Sequence, residues 1–193
     1  MGIFGLDVTI VVDVANVMGS RPDGWWRDRA GAAVRLHDQI AELAASGGAI
    51  LPGDDQPPGE RPGPGEHARP GERPGPAEHP GPGERPGPGE NAPAFVLVLE
   101  GAARAAIPRL PSARPGTAVP RQLQPGEVRV VEARGSGDDA IVAVVHELSG
   151  RRIVVTADRE LRARCAAAGA EILGPGWLLG LLREPRSPRV PRD

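Results

Sequence analysis

Hydrophobic residues along this chain follow two periods that alternate from segment to segment. Runs rich in branched apolar residues are typical of buried parallel strands, and they occur at 8–12, 95–99, 128–132, 153–155 and 171–173. Apolar residues at helical spacing occupy 25–45, 138–148, 159–169 and 177–182. Strands that alternate with helices predict an α/β fold, a three-layer α/β/α sandwich around a mostly parallel central sheet.

The composition changes between residues 51 and 93, where Pro, Gly, Glu, Arg and His repeat with few apolar residues. Such a segment does not bury enough apolar surface to offset the entropy lost on ordering. We therefore predict one domain formed by 1–50 and 94–184, a disordered insertion at 51–93 and a flexible C-terminal tail at 185–193. A shorter loop is predicted at about 108–126.

The composition also excludes several chemistries. The chain has 193 residues, a formal net charge of -2 and 23 basic residues, all of which are Arg, so a Walker phosphate loop or a Schiff-base lysine is impossible. Cys165 is the single cysteine, which rules out an intrachain disulfide and a Cys-cluster zinc site. The opening segment has no basic stretch before its apolar run, and no run reaches membrane-spanning length. We expect a soluble cytoplasmic protein with no membrane partner.

Acidic residues follow three of the predicted strands; they are Asp13, Asp138, Asp139 and Asp158. Carboxyl ends of parallel strands share one edge of a sheet, where open α/β proteins bind ligands. Helix capping is the alternative explanation for Asp139 or Asp158, but it does not account for Asp13, which leaves a buried strand beside Asn16. Carboxylates gathered at one edge raise each other's pKa unless a cation neutralises them. Oxygen ligands alone favour Mg²⁺ or Mn²⁺.

Three segments in this order, VVDVANVMG, GSGDDAIVAVV and VVTADRELRARCAAAGAEILGP, resemble the PIN-like nuclease superfamily, in particular the NYN group and its YacP-like branch. The resemblance covers about 1–50 and 94–182. It implies a ribonuclease, a Mg²⁺- or Mn²⁺-dependent endoribonuclease that hydrolyses RNA phosphodiesters. The implied catalytic residues are Asp13, Asp138 and Asp158, all of them metal ligands together with Asp139 and Glu100. Asn16 would orient Asp13 or contact a phosphate, and Thr156 would hold the loop that carries Asp158.

RNA is the implied partner, and the segment MGSRPDGWWRDRAG offers residues to bind it. Arg21 is suited to a phosphate and Trp25 to a stacked base, although at least one of Trp25 and Trp26 is expected to pack in the core. Three alternatives stay open. A phosphatase would require Asp-x-Asp, where this chain has Ala15. A nucleotide pyrophosphohydrolase would use the same acids. A catalytically inactive RNA-binding or scaffold module would recruit a protein partner through the Pro-rich insertion.

Overall fold

Consecutive apolar residues, buried on both sides, build the central strands of a parallel sheet that is covered on both faces. The computed structural model describes residues 8–46, 51, 92–110, 113–114 and 119–183. The elements in chain order are β1 (Val8–Asp13), α1 (Val14–Gly19), a 3₁₀ turn (Trp25–Arg27), α2 (Arg29–Ala45), β2 (Ala94–Leu99), a 3₁₀ helix (Gly101–Arg109), β3 (Ala113–Arg114), β4 (Val128–Glu132), α3 (Gly137–Glu147), β5 (Arg151–Val155), α4 (Arg159–Ala167), β6 (Glu171–Leu173) and α5 (Pro175–Arg183).

The described strands pair in the order β3-β4-β2-β1-β5-β6, and every pair is parallel. The chain builds outward from β1 through β2 to β4 and then returns to the other side of β1 to add β5 and β6. The order therefore reverses between β1 and β5. In open parallel sheets, this reversal leaves a crevice at the carboxyl ends of the two strands.

Alternation along the central strands divides the core into two layers. Ile10 and Val12 point to the face covered by α1, α2 and α5, while Val11 points to the face covered by α3 and α4. Phe95 and Val96 of β2 divide in the same way. The predicted α/β fold, a three-layer sandwich around a parallel sheet, is confirmed.

Two local predictions were wrong. The helix expected over 25–45 is interrupted at Asp28, whose backbone is not helical (φ -144°, ψ 78°) and whose carboxylate Oδ1 accepts a hydrogen bond of 2.8 Å from the Gly31 amide. Capping by Asp28 therefore starts α2 at Arg29. The loop expected over 108–126 contains the end of the 3₁₀ helix and the two residues of β3.

Most of the predicted insertion at 51–93 and the predicted tail at 185–193 lie outside the described residues. Leu51 and Ala92 lie at the margins of the predicted insertion, and both are buried. Leu51 belongs to the core layer beneath α2. Across the described ranges, no helix combines the length and the hydropathy needed to cross a membrane.

Candidate functional site

The predicted acids meet at the crevice between β1 and β5. Asp13 is the last residue of β1, and its neighbour in β2 is Val98, two residues before Glu100. Val12 of β1 is level with Val155, the last residue of β5. The ends of β1, β2 and β5 therefore reach the same edge of the sheet, and α3 packs over β1 and β2 to bring its first turn there.

Asp13 is a buried carboxylate held by three hydrogen bonds. Its side chain accepts bonds from the Asn16 amide (3.0 Å), from Asn16 Nδ2 (2.8 Å) and from the Thr156 hydroxyl (2.9 Å). The first of these makes Asp13 the N-cap of α1. The prediction that capping does not account for Asp13 was therefore wrong, because α1 is a helix of six residues that the hydrophobic pattern did not indicate.

The buried side chain of Thr156 joins two of the predicted acids. Its hydroxyl donates to Asp13 Oδ2 and accepts a bond of 3.1 Å from the Asp158 amide. Asp158 in turn caps α4, with Oδ1 accepting from the Leu161 amide at 2.8 Å. The caps on α1 and α4 thus fix the two carboxylates on either side of the crevice, and capping leaves oxygen lone pairs on each of them.

Glu100 reaches the same edge from the end of β2. Its Oε2 accepts a hydrogen bond of 2.9 Å from the amide of Gly137, the first residue of α3. A Cβ atom at residue 137 would clash with that oxygen, so the contact requires glycine unless Glu100 moves. Gly137 was not among the residues predicted from the sequence, although a glycine directly before an acidic pair at a helix start is a signal of close approach.

Asp138, in the first turn of α3, is the carboxylate whose pKa the neighbouring acids change. Burial raises the pKa of Asp138 above its usual value of 3.8. Three neighbouring carboxylates raise this pKa further; in decreasing order they are Asp158, Asp13 and Glu100. Arg164 lowers it without cancelling the increase. Negative charge from four separate segments therefore accumulates here with insufficient compensation from the protein.

Asp139 has a different environment from Asp138. Its Oδ1 accepts a bond of 2.6 Å from Arg164 Nη2 on α4, and its side chain is 71% exposed. This hydrogen bond raises the pKa of Arg164. The role of Asp139 as a metal ligand stays a prediction, since that role would require Asp139 to turn away from Arg164 or to share its second oxygen.

The donor set agrees with Mg²⁺ or Mn²⁺ in chemistry, because the acids at this edge offer carboxylate oxygens and each carboxylate keeps unused lone pairs. The carboxylates are not placed close enough together to share one ion. Within the described ranges, no group of three or more His, Cys, Asp or Glu side chains is placed to hold one metal ion. A shared ion would therefore require side-chain rotation at the partly exposed acids, Asp138, Asp158 and Glu100.

The predicted substrate-binding residues occupy two places. Asn16 and Thr156 lie at the crevice, as their bonds to Asp13 show. Arg21 lies past the end of α1, where its Nη2 donates to Gln39 Oε1 at 2.9 Å. Trp25 is half-buried against the core with Arg29 over its ring, whereas the side chain of Trp26 is 57% exposed.

Comparison with known proteins adds little. No family model matches the chain, and no curated protein matches it. Among solved structures, the chain is similar to a crystal structure of a point mutant of Rae1 (YacP) from Bacillus subtilis, with 14% identity and a TM-score of 0.47 over 92% of this chain and 75% of that one. A similarity this weak assigns neither a family nor an activity to this chain.

Proposed function

We propose that this protein is a metal-dependent ribonuclease that hydrolyses RNA phosphodiesters at the crevice between β1 and β5. One observation carries the proposal: carboxylates from four segments meet at the carboxyl edge of the sheet, and their charges raise the pKa of Asp138. Capping explains why acids begin helices α1 and α4, but it does not explain why Glu100 and Asp138 join them. A divalent cation would relieve the repulsion among these charges.

Four carboxylates would hold the ion: Asp13, Glu100, Asp138 and Asp158, with Asp139 as a further candidate. A bound Mg²⁺ or Mn²⁺ supplies an activated water and stabilises charge on the phosphoryl and leaving oxygens. The chain's own residues fix the ligands. Asn16 and Thr156 orient Asp13 by donating to it, and Gly137 orients Glu100 through its amide. Neutral donors of this kind hold a carboxylate in place without neutralising it.

The choice of RNA as substrate rests on the resemblance to PIN-like nucleases of the NYN group. The loop after α1 supports binding of a single strand, since Trp26 is exposed beside Arg27, whose guanidinium lies 5.9 Å from the ring centre. Aromatic rings next to arginine favour stacked bases over paired ones. The sequence predicts that Trp25 stacks a base. In this arrangement Trp25 would instead hold the ring of Trp26 in place through their edge-to-face contact.

The test is cleavage of end-labelled single-stranded RNA by the purified full chain in Mg²⁺, in Mn²⁺ and in EDTA. Asp138→Asn is compared with Glu160→Gln, which removes the same charge from an exposed position on α4. We expect cleavage only with a divalent ion, a loss of at least about 100-fold in Asp138→Asn, and little change in Glu160→Gln. Cleavage that continues in EDTA, or that is equal in both variants, would contradict the proposal.

A second candidate is a catalytically inactive RNA-binding or scaffold module, and the open spacing of the acids within the described ranges favours it. The two candidates differ in how they respond to metal. Titration calorimetry of the wild-type chain with Mn²⁺, beside Asp13→Asn, separates them: heat of binding that disappears in the variant supports the nuclease. No heat in either protein, with RNA still bound, supports the inactive module.

A further inference from the structure

A cavity of about 290 Å³ lies on the α1–α2–α5 layer, between the loop that follows α1 and helices α2 and α5. Arg21 and Gln39 line one part of it, and Arg183 lines another. Leu179 and Leu182 of α5 supply an apolar wall. Neither the proposed metal ligands nor the residues that orient them line this cavity, so it is separate from the acidic crevice.

The charges around this cavity are predominantly positive. Burial lowers the pKa of Arg21, and the charges of Arg183 and Arg35 lower it further. Asp23 is the opposing acid, and its Oδ1 also accepts a bond of 3.2 Å from the Trp25 amide. Within the described residues, neither Arg21 nor Arg183 forms an ion pair. Two guanidinium groups therefore share one cavity with a single carboxylate among its lining residues, that of Asp23.

We propose that this cavity binds a phosphate group of a nucleotide unit, as a contact for the RNA strand outside the cleavage site; the identity of that ligand rests on the proposed function. Guanidinium groups match phosphate oxygens because their N–H donors form a planar fork. The wall formed by Leu179 and Leu182 suits the sugar or base that accompanies the phosphate, which free inorganic phosphate lacks.

The position of the cavity agrees with a strand that continues from the crevice. Asp13 lies at the start of α1 and Arg21 lies two residues past its end. Six helical residues rise about 9 Å. A strand with its scissile phosphate at the acids would therefore reach the cavity within a few nucleotides. Phosphate contacts of this kind set affinity and position without reading sequence.

The experiment measures binding of labelled single-stranded RNA by anisotropy in EDTA, so that it does not depend on catalysis. Arg183→Gln is compared with Arg121→Gln, which removes the same charge from an exposed position in the loop before β4 that does not line the cavity. We expect Arg183→Gln to weaken binding about 5- to 10-fold and to reduce the salt slope by about one. Arg121→Gln should change affinity less than about 2-fold.

Nucleoside monophosphate and inorganic phosphate are added at matched ionic strength to identify the ligand. We expect the monophosphate to compete with RNA and to raise the wild-type Tm but not that of Arg183→Gln, with inorganic phosphate the weaker of the two. Equal losses in Arg183→Gln and Arg121→Gln, or RNA binding that is absent from the wild type, would overturn the proposal. Melting curves identify a folding defect, and in that case Arg21→Gln must reproduce the loss of binding.

The catalytic proposal and the cavity proposal can fail independently of each other. If Asp138→Asn abolishes cleavage while Arg183→Gln binds RNA like the wild type, the nuclease stands and the cavity proposal falls. If no cleavage occurs in any metal but Arg183→Gln still weakens binding, the cavity proposal stands and the catalytic one falls.

Discussion

At the scale of single residues, the Thr156 hydroxyl has the greatest influence on the geometry of the crevice. It is fully buried and contacts Asp13 and the Asp158 amide at once. Its replacement by a methyl group would leave Asp13 Oδ2 with one donor fewer and the amide of Asp158 without an acceptor. Buried polar groups that lose a partner cost about 1–3 kcal/mol each.

We therefore predict that Thr156→Val lowers the free energy of unfolding by about 1–3 kcal/mol and reduces cleavage more strongly than stability. Thr9→Val is the matched control, since Thr9 is a buried threonine of β1 whose side chain forms no bond to an acid in the described ranges. Urea unfolding and cleavage rates measure both. Thr156→Ser should restore most of the loss; if it behaves like Thr156→Val, the hydroxyl is not the cause.

Gly137 gives a prediction of the opposite kind, a change in function without loss of fold. Alanine there favours the helix by about 0.5–1 kcal/mol, but its Cβ would displace the Glu100 carboxylate. We expect Gly137→Ala to keep its Tm and to need several-fold more Mn²⁺ for half-maximal cleavage. Gly135→Ala is the control, because nothing lies within 4 Å of a Cβ atom at residue 135. Identical metal dependence in the two variants would remove Glu100 from the ligand set.

Asp138 makes the stability of the metal-free protein depend on pH. Its folded pKa is raised above 3.8, so its ionised form destabilises the fold. This cost is absent below the usual pKa, grows as the pH rises to the folded pKa and is constant above it.

In EDTA at neutral pH, Asp138→Asn should therefore melt above the wild type, with a difference that shrinks toward pH 4. Excess Mg²⁺ should reverse the order, because only the wild type retains the complete ligand set. Thermal melts across pH check both statements. A variant that is less stable than the wild type at every pH in EDTA would contradict the assigned electrostatics.

At the scale of elements, helix α4 is anchored at both ends. Asp158 caps its start, and Gly169, with φ of 82°, follows its end. Cys165, a residue of this helix, is fully buried, and burial raises the pKa of its thiol to about 11. The thiol is therefore a reporter of how often α4 lifts from the sheet.

We predict that a thiol reagent at pH 8 labels Cys165 at least about 100-fold more slowly in the folded chain than in urea. Asp158→Asn keeps a cap but loses the charge, whereas Asp158→Ala loses both. Labelling should accelerate in Asp158→Ala more than in Asp158→Asn. Rapid labelling of the native wild type would show that α4 is not packed as described.

The long helices and strands were predictable from their hydrophobic pattern, and the short elements were not. Runs such as FVLVL at 95–99 and the acid-led helix at 138–148 carry enough apolar residues for one period to dominate. Helix α1 spans less than two turns, and the 3₁₀ turn has three residues, so neither shows a period. The start of α2 after Asp28 depends on a side-chain cap rather than on hydrophobicity, so the hydrophobic pattern alone predicts a continuous helix over 25–45.

At the scale of the whole molecule, the domain depends on residues at the margins of the predicted insertion. Leu51 and Ala92 are buried, and the Ala92 carbonyl accepts a bond of 3.2 Å from the Gly126 amide. The boundaries 51 and 93 taken from composition therefore include residues that pack in the domain. Composition marks where low-complexity sequence begins, but it does not detect single apolar residues that reach back to the core.

Two deletions test this boundary. Replacing 53–90 with a short Gly-Ser linker should leave the Tm within about 3 °C of the wild type, because loop length has a small entropic effect. Replacing 51–93 with the same linker should lower the Tm by more than about 5 °C through loss of Leu51 and Ala92. Cleavage by the shorter deletion would also separate the nuclease from the scaffold hypothesis. Equal Tm values would show that these residues do not matter.

The candidate site divides in a similar way between what sequence could and could not predict. Strand-end acids were predictable because the carboxyl ends of parallel strands share an edge. The cavity beside Arg21 was not, because Arg183 reaches it from the last described helix and no spacing rule links it to residues near the start of the chain.

The bond from Thr156 to Asp13 joins residues 143 positions apart. During synthesis, Asp13 emerges from the ribosome long before β5 exists to pair with β1. A nascent chain, or a fragment released early, therefore carries the first carboxylate without the strand that completes its environment. Contacts of such long range also form late in folding. The crevice is thus assembled only after β5 and Thr156 have been synthesised.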